Sequence, residues 1–197
     1  MIRDIVGVKP LYYSYYNSNI YFSSLIEPLK IVIPKNLNLT AMNYYGNFGY
    51  NDKHETFFSK IYKVLPGELI TYKNKELKKE KFLKYNFKNA NNNCDSKFTI
   101  KNIINKQSLS DVPIALALSG GIDSNIILSS LNIKKLKTYN LSFSYNNNNS
   151  LDSIYAKKRA KEFGANHQEI KLRSDDFFNS LEITNSILEE PIGDPNS

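Results

Sequence analysis

The stretch that most constrains this chain is Ile114-Ala115-Leu116-Ala117-Leu118-Ser119-Gly120-Gly121-Ile122-Asp123-Ser124. Its first five residues form an uninterrupted apolar run, as expected of a strand buried on both faces of a parallel sheet. The glycine pair ends that strand, and Asp123 to Leu131 reads as a helix. Strand, glycine turn and helix N-terminus in succession are how α/β proteins hold phosphate. Paired glycines let the main chain approach an anion with no Cβ in the way. The helix start adds N–H donors and positive potential. Ser119 and Ser124 contribute hydroxyl donors, and Asp123 a carboxylate able to hold magnesium beside phosphates. The loop is not a Walker A sequence, because the spacing differs and no Gly-Lys-Ser/Thr follows. The competing reading is an ordinary Gly-Gly turn with an Asp or Ser cap.

The surroundings repeat the alternation. A helix is expected over Thr99 to Ser108, a second strand over Leu136 to Phe143, and a helix over Asp152 to Phe163. Ser150 is the candidate cap of that helix, and Gly164 lies past its end. A third strand follows over His167 to Leu172. Ser174-Asp175-Asp176 then opens a helix running to about Leu188. This order implies a parallel α/β sheet with right-handed crossovers.

The first part reads differently. Leu11 to Tyr16 is rich in strand-forming aromatics, Asn17-Ser18-Asn19 is a turn, and Ile20 to Ser23 is a second strand. Ser24 to Ile31 and Leu39 to Tyr45 are candidate short helices, the latter ending near Gly46 and Gly49. Pro66-Gly67 is a turn, and Glu68 to Tyr72 a strand closed by Lys73-Asn74. Residues 76–97 are polar, rich in Lys and Asn, and are expected to connect two domains. Asn91 to Asn93 and Asn146 to Asn149 carry no assigned function.

Composition removes whole classes of function. The 197 residues include one cysteine, Cys94, and two histidines, His54 and His167, too few for a disulfide framework or a Cys/His zinc cluster. Cys94 lies in the connector with no histidine near it in sequence, so it reads as an incidental thiol. His167, at a strand start, reads as a capping or packing residue. No apolar run reaches the roughly 18–20 residues of a membrane span, and no secretory h-region follows Met1, so the cytoplasm is the expected location. The formal charge is +7, but it is unevenly spread. Residues 60–107 hold twelve lysines against four acids, while 175–197 hold six acids and no base. That pattern suits a solvated connector better than a nucleic-acid surface.

The loop Ser119-Gly120-Gly121-Ile122-Asp123-Ser124 resembles the PP-loop of ATP pyrophosphatases. With Ser110-Asp111-Val112-Pro113 before it, the stretch looks like the synthetase domain of glutamine-hydrolysing asparagine synthetases. The first part agrees independently. Arg3-Asp4, Gly7-Val8-Lys9-Pro10-Leu11-Tyr12, Tyr21-Phe22-Ser23-Ser24, Gly49-Tyr50 and Ile61 through Leu65-Pro66-Gly67 are similar to the end of that family's glutaminase domain. Gly164 with His167 and Glu169, and Glu190-Pro191 with Asp194, continue the likeness.

The resemblance implies a division into residues 1–75, the C-terminal part of a mainly β, Ntn-type class II glutaminase domain; 76–97, a linker; and 98–197, the N-terminal part of an α/β PP-loop domain of the adenine nucleotide alpha hydrolase type. It implies ATP and pyrophosphate binding by Leu118, Ser119, Gly120, Gly121, Asp123, Ser124 and Leu141, with Asp123 on Mg2+. For Leu141 a plain buried strand residue is the competing reading. The implied substrates are ATP, aspartate and glutamine or ammonia, with β-aspartyl-AMP as the intermediate and asparagine as the product. A homo-oligomer is left open. The family's nucleophilic N-terminal cysteine is expected to precede Arg3-Asp4, and its second glycine-rich acidic motif to follow Ser197. The chain therefore reads as an internal stretch, with no catalytic residue assigned and no glutaminase activity expected of it alone. Two alternatives stand beside this reading: an amidotransferase for another carboxylate such as a sugar acid, or a non-catalytic nucleotide-binding remnant.

Overall fold

A computed structural model describes residues 1–51, 54–82, 95–143, 150–188 and 190, apart from the side chains of residues 143, 174, 177, 182, 185 and 186. Cys94, Asn91 to Asn93, Asn146 to Asn149, Glu189, Pro191 and Asp194 lie outside the described residues. The chain divides into two compact units, Met1–Lys88 with Leu181–Ser197, and Asn89–Ser180.

The first unit is built from antiparallel hairpins. Strands β1 (Tyr12–Tyr16) and β2 (Asn19–Ser23) pair Tyr13 with Phe22 and Tyr15 with Ile20. Asn17 and Ser18 between them both have positive φ, 49° and 61°, the turn geometry that matches strand twist in two-residue hairpins. The short β3 (Tyr62–Lys63) joins the other edge of β1. A second hairpin pairs β4 (Glu68–Lys73) with β5 (Glu76–Lys81) across Asn74 and Lys75, again with positive φ. The sequence places Glu76 to Lys81 in the connector. Its five charges hide a strand that needs no apolar alternation, because only Leu77 reaches the core.

Two apolar clusters hold this unit. One joins Tyr13, Val64 and Ile70; the other joins Ile26, Leu29, Ile33 and Ile61. Only Leu29–Ile31 of the expected Ser24 to Ile31 helix is helical, as a 3-10 turn. Helix α1 (Leu39–Phe48) is capped by Asn38, whose side chain accepts from the Ala41 N–H, and ends at Gly49 with φ 74°. The Arg3 guanidinium donates to the carbonyls of Gly7, Lys9 and Val64, and Asp4 accepts from the Val8 and Lys9 N–H groups. The motif residues Arg3-Asp4 thus fold the segment around Gly7 onto β3. Glu190 accepts from the Phe57 N–H and pairs with Lys63 at 2.7 Å.

The second unit holds α2 (Ser96–Gln107), β6 (Ala115–Ala117), α3 (Ile122–Ser130), β7 (Lys137–Phe143), α4 (Leu151–Glu162), β8 (Asn166–Leu172) and the start of α5 (Ser174–Leu188). The three strands form a parallel sheet in the order β6-β7-β8. The expected alternation is therefore present, with shifts of a few residues at element ends. Strand order also explains one correction. Moving always in the same direction, two right-handed crossovers deliver α3 and α4 to the same face. Leu128 of α3 and Ala156 and Ala160 of α4 indeed share one core with Leu118 and Leu136. The described residues leave the other face open, so Ala115 and Ala117, expected to be buried on both faces, are exposed.

Candidate functional site

The loop begins where β6 ends. The Leu118 N–H still donates to the Tyr139 carbonyl at 2.7 Å. Its side chain is 2% exposed and belongs to the core. Of Leu118, only the main chain is therefore available to a ligand. Beyond it, the serines close the loop on itself. The Ser119 N–H donates to Ser124 Oγ at 3.2 Å, the two hydroxyls lie 3.0 Å apart, and the Gly121 N–H donates to Ser119 Oγ at 3.1 Å. The hydroxyls expected as phosphate donors thus also hold the loop's shape. Asn125, which the sequence reading passed over, adds a brace. Its Nδ2 donates to the carbonyls of Gly121 at 2.6 Å and Ser119 at 3.2 Å.

The two glycines serve different ends. A Cβ on Gly120 would stand 2.7 Å from Asp152 Oδ1, 3.1 Å from Asp152 Cα and 3.2 Å from Tyr155 Cβ. Gly120 is small because α4 approaches it. Gly121 meets only Ser119 Oγ, at 3.2 Å, so the argument for anion access applies to Gly121 alone.

Gly121 is also the N-cap of α3, and no side chain caps that helix. Asn38, Asp95 and Ser150 do cap α1, α2 and α4. The first-turn N–H groups of a helix have no intrahelical partner and carry the positive end of its dipole. Left uncapped behind a glycine, this end of α3 suits a phosphate. Asp123 sits in the same turn and is exposed. Among the described residues no group of three or more His, Cys, Asp or Glu side chains could hold a metal. A magnesium ion at Asp123 would accordingly take its remaining ligands from phosphate oxygens and water.

Leu141 is 59% exposed on the open face of the sheet, not buried as the competing reading would have it. Ala117 pairs with Tyr139, and extending that register by two residues sets Leu141 level with Ser119.

On the covered face, β7 presents Thr138, Asn140 and Ser142, all buried. The Asn140 amide donates to the Leu118 carbonyl at 3.1 Å and accepts from the Ser153 hydroxyl at 2.6 Å. Ser142 donates to Glu169 at 2.7 Å, and this bond is the main reason the Glu169 carboxyl lies below its ordinary pKa. Thr138 meets His167 Nδ1 at 2.9 Å, while Nε2 is buried without a partner. Burial, reinforced by Lys157 and opposed by Glu169, holds the imidazole pKa below its usual value. These contacts seat His167 against β7. The sequence signal for this row was three polar residues at alternate positions in a strand.

Residues 98–197 match the asparagine synthase family model. The chain belongs to the asparagine synthase family. Residues 1–83 match a glutamine amidotransferase domain. Over 98% of its length the chain is 28% identical to asparagine synthetase [glutamine-hydrolyzing] 1 of Bacillus subtilis. It is 23% identical over 98% of its length to a putative asparagine synthetase [glutamine-hydrolyzing] 2 of Methanocaldococcus jannaschii, and 27% identical over 82% to the microcin J25-processing protein McjC of Escherichia coli. The chain spans 32%, 40% and 32% of these relatives. Among the described residues no helix is long and apolar enough to cross a membrane.

Proposed function

We propose that the chain carries the ATP-binding part of an ATP-dependent amide-forming ligase, with aspartate as acceptor, asparagine as product and the cytoplasm as its location. The observation that carries this reading is the uncapped N-terminus of α3, opened by Gly121 at the end of a parallel strand. Family membership supports it. In this reading Ser119 to Ser124 form a PP-loop whose main-chain donors take the phosphates, and Leu141 borders the adenine. The first unit, through β5, is the end of an Ntn-type glutaminase domain that delivers ammonia.

The chemistry has two steps. An oxygen of the aspartate β-carboxylate attacks the α-phosphorus, the α–β anhydride bond breaks, and pyrophosphate leaves. Ammonia then attacks the acyl carbon of β-aspartyl-AMP, the C–O bond to AMP breaks, and a proton is released. The loop's task is to stabilise negative charge growing on the pyrophosphate, which oriented N–H groups do without reorganising. Magnesium at Asp123 would offset part of the same charge.

Calorimetric titration of the full chain with Mg-ATP tests the nucleotide site. We expect saturable binding that pyrophosphate competes away and that Asp123→Asn makes insensitive to magnesium. Absence of binding, or binding indifferent to pyrophosphate, overturns the assignment. For the acceptor, exchange of labelled pyrophosphate into ATP is expected to require aspartate. Exchange driven equally by another carboxylate would move the reading to a different amide.

A further inference from the structure

The loop is held from behind by a chain of polar groups, buried at Asn140 and Ser153, that joins it to the start of α4. Ser150 caps α4, accepting from the Ser153 N–H at 3.2 Å, and its hydroxyl lies 3.0 Å from that of Ser153. Ser153 in turn donates to Asn140 at 2.6 Å, and Asn140 donates to the Leu118 carbonyl at 3.1 Å. Asn140 is 6% exposed and Ser153 3% exposed. An amide there occupies space that an apolar residue fills without needing hydrogen-bond partners, so its presence calls for a reason beyond packing.

The reason lies in what the carbonyl of Leu118 controls. It is the last main-chain acceptor before Ser119, so its direction sets where the Ser119 and Gly120 peptides start. Gly120 then passes against Asp152 and Tyr155 with no space to spare. The loop is thereby fixed at both ends of a short span, by the Asn140 amide before it and by the first turn of α4 beside it. A fixed Leu118 carbonyl fixes the peptide that carries the Ser119 N–H, itself bound to Ser124 Oγ, and so sets the path of the chain into the first turn of α3, whose N–H groups are the ones available to an anion. A bond from a side chain, unlike one in the strand ladder, can be made at this position without extending β6.

We infer that Asn140 and Ser153 are positioning residues of the phosphate loop: through the Leu118 carbonyl they hold Ser119 to Ser124 in the anion-accepting conformation before nucleotide arrives. This rests on the nucleotide-binding reading for its consequence, but not for its geometry. The two parts can therefore be tested separately.

The test compares Asn140→Asp with the unaltered full chain. Asp keeps the acceptor for Ser153 and the shape of the side chain, but an ionised carboxylate cannot donate to Leu118. Hydrogen exchange is read without nucleotide, at the amides of Ser119 to Ser124 and, as control, in β8. Exchange is expected to quicken at least tenfold in the loop while β8 is unchanged. In parallel, Mg-ATP affinity is expected to fall about tenfold, the scale of one lost buried hydrogen bond. Ser153→Ala, a milder change, is expected to give the same local pattern at smaller amplitude, and it decides the matter should the Asp variant unfold. Unchanged loop exchange in a folded variant, or exchange that quickens equally in β8, overturns the positioning role. Failure of the unaltered chain to bind Mg-ATP sinks the nucleotide reading, while the exchange comparison still decides whether the relay orders the loop.

Discussion

The two faces of the parallel sheet are built in opposite senses. The face covered by α3 and α4 buries Thr138, Asn140 and Ser142 from the middle strand, whereas the open face carries Leu141 at 59% exposure and Ile170 at 38%. A strand obeying the hydrophobic effect alone would turn these round. The inversion teaches that each face is shaped by something other than average burial. On its covered side β7 is polar, beside the apolar core of Leu118 and Leu136, because it anchors the loop and pairs with Glu169 and His167. The open face is apolar at the height of the loop, where the proposed adenine would lie.

Gly120 lies against the first turn of α4, with no room for a side chain, so the largest effect is expected there. Gly120→Val places a branched side chain against Asp152 Cα at 3.1 Å and Tyr155 Cβ at 3.2 Å. Asp152 Oδ1 can swing away, but the helix backbone cannot. Overpacking of this kind costs about 1–3 kcal/mol, and we expect thermal denaturation to show that loss together with abolished Mg-ATP binding. A variant of full stability that still binds nucleotide would mean that α4 does not fix the loop.

Next in size is Asn140→Leu, which replaces the polar row's central member by an apolar residue of similar volume. It takes from the Leu118 carbonyl and the Ser153 hydroxyl the side-chain partner they share. The Ser153 hydroxyl keeps Ser150 as a partner, so the cost falls mainly on the Leu118 carbonyl, about 1–3 kcal/mol for an unsatisfied buried group, partly offset by the gain from burying leucine. Chemical denaturation should report a net loss. A net gain would show that the row is dispensable for stability and retained only for the loop.

The opposite outcome is expected on the other face. Leu141→Ser removes no packed neighbour, so stability should stay within about 0.5 kcal/mol, as for ordinary surface sites. A loss of several kcal/mol, the size seen for buried leucines, would show that the open face is covered in solution. If Leu141 borders the adenine, the same variant weakens ATP more than it weakens pyrophosphate.

Much of this contrast was legible in advance, and the rest was hidden for physical reasons. The alternation after Thr99 and the Ser119 to Ser124 loop follow from local signals: apolar runs, a glycine pair and caps such as Ser150. The one-sided sheet was not legible, because Ala115 and Ala117 look the same in sequence whether a helix covers them or not. Only strand order decides that. Strand β5 was missed because Glu76 to Lys81 has no alternation to read. Its pairing is dictated by the Asn74-Lys75 turn and by β4 beside it. Asn125 and Asn140 were missed because an asparagine in a helix or strand says nothing of which carbonyl it will meet. Their roles arise only once Ser119, Gly121 and Leu118 are brought within reach.

The smallest expected effect concerns the row's outer pair, Ser142 and Glu169. The Ser142 hydroxyl, 2.7 Å away, is the foremost cause holding the Glu169 carboxyl below its ordinary value, with Lys171, the Ser153 hydroxyl and Lys157 acting the same way and burial opposing them. A carboxyl whose folded pKa is depressed adds stability that is fully present above its unfolded pKa and lost as pH falls through the folded one. The contribution therefore acts at neutral pH and fades in acid. Ser142→Ala removes the donor, so the Glu169 pKa should move up toward its unperturbed value and the acid limb of the stability profile should flatten slightly. Carbon-detected NMR titration of Glu169 reads the shift directly. An unmoved pKa would mean that Lys171, Ser153 and Lys157 set it without Ser142, and that the polar row of β7 ends at Asn140, with Ser142 buried for want of space and not for its bond.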